Sequence, residues 1–204
     1  MIGIIDYDSG NIFSLAAAFN RLDANHRLVT APTEINNCTA LVLPGVGAFG
    51  DAINNLKAKG LNEAILHWVN AGKPLLGICL GMQLLFEKSE EHGIYQGLGI
   101  LPGTIRRITG QVKVPHMGWN KLHIISNHNL LQNISDGYVY FVHSYYAAEA
   151  SEVVLASTFY GEEIPAVVGK NNVLGMQFHP EKSGPVGMTL LKNWVELIEA
   201  SDKR

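Results

Sequence analysis

Residues 73–86 read Lys73-Pro74-Leu75-Leu76-Gly77-Ile78-Cys79-Leu80-Gly81-Met82-Gln83-Leu84-Leu85-Phe86. The run 74–78 is fully apolar and of strand length, the pattern of a strand buried on both faces of a parallel sheet. The spacing from 80 to 88 predicts a helix. Between them, Gly77-x-Cys79-x-Gly81 has the form of a nucleophile elbow with sulfur in place of a serine hydroxyl. Such a turn holds its central residue in strained backbone space, and the glycines on either side leave room for it to close. At a helix start, unpaired N–H groups and the dipole favour a Cys79 thiolate, and the Leu80 N–H points at an oxyanion on the attacked carbon. A lone cysteine is ordinarily a small buried hydrophobe. The flanking glycines set Cys79 apart; Cys38, which lacks them, keeps the ordinary reading.

Outward from this stretch, strands and helices alternate. Apolar runs at 2–5, 26–30 and 40–43 read as strands. Residues 11–22, 47–59 and 62–71 carry helical spacing. This alternation predicts an α/β fold with a mostly parallel central sheet flanked by helices. Beyond Gly99 strands follow in quick succession, at 105–108, 138–142, 153–157, 166–168 and 173–178, before a final helix over 185–200. With no linker, repeat or low-complexity tract, residues 1–204 read as one domain with a strand-rich second half.

Composition agrees with a large interior. The 204 residues are 47% hydrophobic and only 16% charged, which excludes a disordered chain. Area scaling predicts roughly 9,400 Å² of folded surface from about 32,000 Å² unfolded, so a core forms without disulfides or metal. A net charge of −3 lacks the positive excess that phosphate backbones demand, so no nucleic-acid partner is expected. The start, Met1 to Asp6, has no basic leader and reads as a first strand. No apolar stretch reaches the ~18 residues of a membrane span, so no membrane partner is expected. Two unframed cysteines fit a reducing cytoplasmic location.

A thiol nucleophile needs a base, and the chain has eight histidines. His26, His67, His92, His123 and His128 lie in polar or helix-surface contexts and read as solvated or packing residues. His179 differs, because the apolar strand 173–178 delivers His179-Pro180-Glu181-Lys182 at its end. Residues two apart on an extended segment share a face, so His179 and Glu181 address one spot. Cys79, His179 and Glu181 then form a triad in which the carboxylate fixes the imidazole and the imidazole moves the proton. His143, at the end of another strand, is the rival base and is preferred as pocket wall, because no carboxylate lies near it in sequence. His116 is a further candidate.

The loop Pro44-Gly45-Val46-Gly47-Ala48-Phe49-Gly50 matches GxGxxG after a strand, so a nucleotide-binding module is an alternative of another class. That reading requires an acid at a following strand end, yet Glu63 lies in a helical stretch. The same loop can instead bring backbone N–H groups at Val46 and Gly47 to an oxyanion, opposite Leu80.

The elbow, this loop and the His-Pro-Glu terminus, with Ile5-Asp6-Tyr7-Asp8-Ser9-Gly10-Asn11, Pro115-His116-Met117-Gly118-Trp119-Asn120 and Tyr140-Phe141-Val142-His143-Ser144-Tyr145, resemble the class I glutamine amidotransferase family from end to end. The resemblance implies a flavodoxin-like three-layer architecture and attack by Cys79 on the side-chain amide of glutamine. It implies ammonia release and hydrolysis of a glutamyl thioester, with no cofactor and no metal. It places Gly47, Gln83, His143, Ser144 and Tyr145 around glutamine. It further implies a heterodimer in which the ammonia passes to a barrel-shaped cyclase subunit, with Asn11, Trp119, Asn120, Tyr140 and Lys182 on or near the shared face. Another synthase, such as one forming an amidino sugar, is the alternative acceptor. Asp8 departs from the family, many members of which carry Gly after the Asp-Tyr.

Overall fold

The computed structural model describes residues 1–134 and 137–202. In its first half, β1 (Ile2–Ile5), α1 (Ile12–Arg21), β2 (His26–Val29), β3 (Ala40–Leu43), α2 (Phe49–Ala58), α3 (Leu61–Asn70) and β4 (Leu75–Ile78) follow in the expected alternation, ending in the single turn α4 (Leu80–Gln83). The second half adds β5 (Phe86–Ser89), β6 (Tyr95–Gln96), β7 (Leu101–Arg107), β8 (His116–Lys121), β9 (His123–Ile124), β10 (Tyr138–His143), β11 (Tyr145–Ala148), β12 (Val154–Phe159), β13 (Glu163–Lys170), β14 (Val173–Met176) and α5 (Gly184–Asp202).

Eight strands form the central sheet in the order β2-β1-β3-β4-β14-β13-β12-β9. The first five are parallel, with Ile2 beside Ala40, Leu41 beside Leu75 and Gly77 beside Gly175. β13, β12 and β9 extend it antiparallel. The apolar strands divide their side chains between two cores, as a sheet covered on both faces requires. Leu41, Leu43 and Leu75 pack with Phe49, Leu56 and Ile65 of α2 and α3. Ala40, Val42, Leu76 and Ile78 pack with Phe19 of α1 and Leu190 and Trp194 of α5. The result is three layers with an accessible surface of 9317 Å². A two-stranded ribbon, β10-β8, and a four-stranded sheet, β11-β7-β5-β6, stand outside the main sheet.

The helix expected over 80–88 stops at Gln83. Its next carbonyls are taken by another segment: Leu98 N–H donates to Leu84 O at 2.8 Å, Ile100 and Leu101 N–H both donate to Leu85 O at 2.9 Å, and Gly99 N–H donates to Phe86 O at 3.1 Å. The chain continues as β5, which runs parallel to β7. Helical spacing there is the residue pattern of a strand and turn buried in the same core. Asp8 has φ 65 and its carboxylate meets Lys59 Nζ at 2.9 Å. That backbone is ordinary for glycine, the residue that the resemblance leads one to expect here.

Candidate active site

The strand–turn–helix at Cys79 is built by steric exclusion. Cys79 has φ 54 and ψ −114, a conformation that costs a non-glycine residue about 1–3 kcal/mol and persists only where its surroundings impose it. Here they do. The Cys79 N–H donates to Met176 O at 2.8 Å, and the Gln83 N–H donates to Cys79 O at 3.2 Å. A Cβ on Gly81 would fall inside the carbonyl of Leu43, and one on Gly45 would come within 2.9 Å of the Gly81 nitrogen. The elbow and the loop after β3 are therefore in backbone contact, which fixes Gly47 near Cys79. Tyr7 Oη holds the loop by donating to Pro44 O at 2.7 Å, and Ser9 Oγ donates to Val46 O at 2.5 Å. The Val46 N–H donates back to Ser9 Oγ at 3.4 Å. The three glycines of the GxGxxG match thus serve packing and pocket: Gly50 faces the ring of Tyr95 within α2, and Glu63 sits in the first turn of α3.

His179 is placed by the end of β14 and by β10, since its N–H donates to Tyr140 O at 3.1 Å and its carbonyl accepts Ser183 Oγ at 2.6 Å. Its Nδ1 lies 2.9 Å from Glu181 Oε1, and the two side chains are 3% and 2% exposed. Burial by itself lowers the imidazole pKa, but hydrogen bonding and charge from Cys79 and from Glu181 outweigh it and lift His179 to about 9. Nε2 makes no protein hydrogen bond of ordinary geometry. With Nδ1 committed to the carboxylate, Nε2 is the ring nitrogen left unengaged.

A cavity of about 580 Å³ opens over Cys79. Its lining includes Val46, Gly47, Leu80, Gln83, His143, Ser144, Tyr145, His179 and Lys182, so the expected oxyanion and substrate residues meet in one place. Gln83 Nε2 donates to Tyr145 O at 2.9 Å and to Gln177 Oε1 at 3.0 Å. His143 is pushed down to about 3, chiefly by burial and further by the charges of His116 and His179, against a hydrogen bond to Tyr145 that raises it. Burial lowers His116 to about 4. Both are neutral at pH 7, and neither faces a carboxylate as His179 does. Cys38 is buried with its thiol pushed up by burial, in keeping with a structural role.

Besides Val142 of β10, four lining residues escaped the sequence reading: Glu91, His92, Arg107 and Pro115. They come from the β5–β6 loop, the end of β7 and the loop before β8, elements whose approach to the elbow depends on the truncated helix. Glu91 Oε2 also accepts the Phe49 N–H at 2.8 Å, tying the pocket rim to α2.

Three of the expected partner-face residues, Trp119, Asn120 and Tyr140, lie on the β8–β10 ribbon. On the β8–β10 ribbon side chains alternate: Val139, Phe141 and His143 are buried, while Met117, Trp119 and Tyr138 are 62%, 56% and 56% exposed. Trp119 and Tyr140, directly paired, set their rings 6.0 Å apart. Lys182 reaches the pocket, whereas Asn11, Trp119, Asn120 and Tyr140 lie outside its lining. Asn11 stands at the N-terminus of α1 without a side-chain cap, and Asn120 turns inward to His116. Among the described residues no helix is long and apolar enough to cross a membrane.

A sequence profile of the family described as "Glutamine amidotransferase class-I" matches residues 3–197. The chain is 53% identical over 206 residues to the "Imidazole glycerol phosphate synthase subunit HisH" of Geobacillus sp. (strain WCH70), covering 98% of both. The protein of the same name from Halalkalibacterium halodurans is 49% identical over 211 residues, covering 100% of this chain and 99% of that one. A solved structure described as "Crystal structure of glutamine amidotransferase" matches with TM-score 0.77 at 21% identity, covering 97% of this chain and 98% of that chain. The "Structure of PurLQS from Thermotoga maritima" matches with TM-score 0.76 at 17% identity and the same coverage. At such identities these two structures speak to the fold alone.

Proposed function

The chain belongs to the class I glutamine amidotransferase family, and from that premise we propose that Cys79 is its nucleophile, His179 its proton carrier and Glu181 the residue that orients His179. The activity is that of a glutaminase subunit of imidazole glycerol phosphate synthase, supported by 53% and 49% identity to HisH subunits along nearly the whole chain. Glutamine is hydrolysed to glutamate and ammonia, and the ammonia serves a cyclase subunit in histidine biosynthesis.

The steps follow from the placement of the groups. An imidazolium at His179 favours the Cys79 thiolate, which attacks the side-chain amide carbon of glutamine. The C=O electron pair moves to oxygen, and the oxyanion is met by the N–H of Leu80 at the start of α4 and that of Gly47 in the facing loop. Val46 shapes that loop, its own N–H being engaged by Ser9. Collapse breaks the C–N bond while His179 Nε2–H protonates the departing nitrogen, giving ammonia and a glutamyl thioester. Water then attacks the thioester as His179 takes its proton, and glutamate leaves with the thiolate restored. Glu91 supplies a carboxylate for the substrate ammonium and Arg107 a cation for its carboxylate, while Gln83, His143, Ser144 and Tyr145 form the wall.

The helix dipole contributes little to this activation, because α4 is one turn long. The charge on His179 takes that role. The outward ribbon face with Trp119 and Tyr140, together with Asn11, Asn120 and Lys182, receives the cyclase subunit in a cytoplasmic heterodimer. The buried His179–Glu181 pair, with Nε2 uncommitted beside a positive-φ cysteine, carries the reading. A diazoketone analogue of glutamine should add its mass to Cys79, and Cys79→Ala should keep its circular dichroism while losing glutamine hydrolysis by at least about 10³-fold. Turnover retained in that variant overturns the triad.

A further inference from the structure

We propose that His116 is a positioning residue for glutamine hydrolysis: through His143 it holds the Tyr145 carbonyl, and with it Gln83, in place at the pocket wall. The proposal rests on the pocket being the glutamine site. Four hydrogen bonds form a line from the ribbon to the pocket. Asn120 Nδ2 lies 3.3 Å from His116 Nε2, His116 Nδ1 lies 3.0 Å from His143 Nε2, and His143 Nδ1 lies 2.8 Å from Tyr145 O. Gln83 Nε2 then donates to the same carbonyl at 2.9 Å.

The ends of this line fix the protons within it. A carbonyl only accepts, so His143 Nδ1 carries hydrogen. At the far end the Asn120 amide is set by two backbone groups: Nδ2 donates to Phe159 O at 3.0 Å and Oδ1 accepts the Lys121 N–H at 2.8 Å. Its nitrogen therefore faces His116 Nε2, which must accept. His116 Nδ1 then donates, and His143 Nε2 accepts. Every bond is satisfied only when both rings are neutral and both carry hydrogen on Nδ1. A proton added to either ring sets donor against donor inside a buried site. Packing reinforces the arrangement, since the His116 ring stacks on Tyr160 at 3.9 Å and on Phe141 at 4.7 Å. His116 does not itself line the pocket, and its side chain reaches the wall through His143.

Two variants separate polarity from packing. His116→Phe keeps the stacked ring and loses both polar nitrogens. His116→Asn puts an amide N–H near the place of Nδ1 and so keeps the donor to His143. In the full-length chain, His116→Phe should raise KM for glutamine roughly three- to tenfold with a smaller change in kcat, and His116→Asn should stay within about twofold of the parent. Independently of any variant, ¹⁵N spectra of the parent protein at pH 7 should show both histidines neutral and protonated on Nδ1. A parent-like KM in His116→Phe, equal impairment of both variants, or a charged or Nε2–H His143 overturns the proposal. Diazoketone labelling of Cys79 in the parent distinguishes this failure from that of the pocket itself: an unlabelled parent overturns the glutamine reading and the role of His116 with it.

Discussion

Two buried histidines line one cavity and differ in charge at pH 7, His179 being protonated and His143 neutral. His179 and His143 are 2% and 6% exposed, so burial penalises a proton on each. What differs is the acceptor on Nδ1. For His179 it is a buried carboxylate, backed by the sulfur of Cys79, and the pKa rises to about 9. For His143 it is a backbone carbonyl, with two further imidazoles nearby, and the pKa falls to about 3. A dipole orients an imidazole but does not neutralise it, whereas a full charge does both. Placing the two in one cavity confines the positive charge to the ring proposed to move a proton.

The contrast breaks most visibly at Glu181. Glu181→Gln preserves shape and removes the charge, so kcat for glutamine hydrolysis should fall about 10²- to 10⁴-fold. In the same variant the His179 resonances should titrate well below those of the parent. If kcat survives, Glu181 is a structural neighbour only.

An intermediate effect concerns stability. His143 and His116 resist protonation in the folded state down to about 3 and 4, while in the unfolded chain they accept protons near the ordinary ~6.5. The stability they permit is therefore lost as pH drops from about 6.5 through those values. His179 runs the other way. Its raised pKa adds stability fully below about 6.5, and that contribution disappears as pH climbs through about 9. Thermal midpoints measured from pH 4 to 10 should fall on both sides, and Glu181→Gln should flatten the alkaline arm alone. An alkaline arm unchanged in that variant would dissociate it from His179.

The smallest effect is expected at Glu91, which lines the pocket but faces neither ring's hydrogen-bonded nitrogen. Glu91→Gln should raise KM about tenfold and leave kcat nearly unchanged, the pattern of lost ground-state binding. Both histidine titrations should stay where they are; a shift in either would make Glu91 part of their electrostatics.

Much of this was legible along the chain. The elbow announces itself because only glycine fits where backbone meets backbone, and His179 and Glu181 are neighbours in sequence as in space. The parallel strands were legible from apolar runs buried on two faces. The length of the helix after Cys79 was not, because its carbonyls are claimed by residues 98–101, a nonlocal competition that periodicity cannot register. Glu91, Arg107 and the link from Asn120 to His143 were hidden for the same reason. Strands β5, β6, β8, β9 and β11 are short or mixed in polarity, and their identity comes from pairing partners. The want of a carboxylate near His143 in sequence tells against it as a base. The structure adds that both its ring nitrogens are engaged, Nε2 with His116 Nδ1 and Nδ1 with Tyr145 O.

The hydrogen bond from Cys79 N–H to Met176 O bears on the life of the chain before it is finished. The turn that exposes the sulfur is completed by a strand near the other end of the sequence, and that same strand delivers His179. On the ribosome, where synthesis proceeds from the N-terminus, the thiol emerges long before the segment that carries its proposed base. A nascent or truncated chain thus lacks the bond that sets this turn, and the geometry on which the proposed covalent chemistry rests arrives together with the completed sheet.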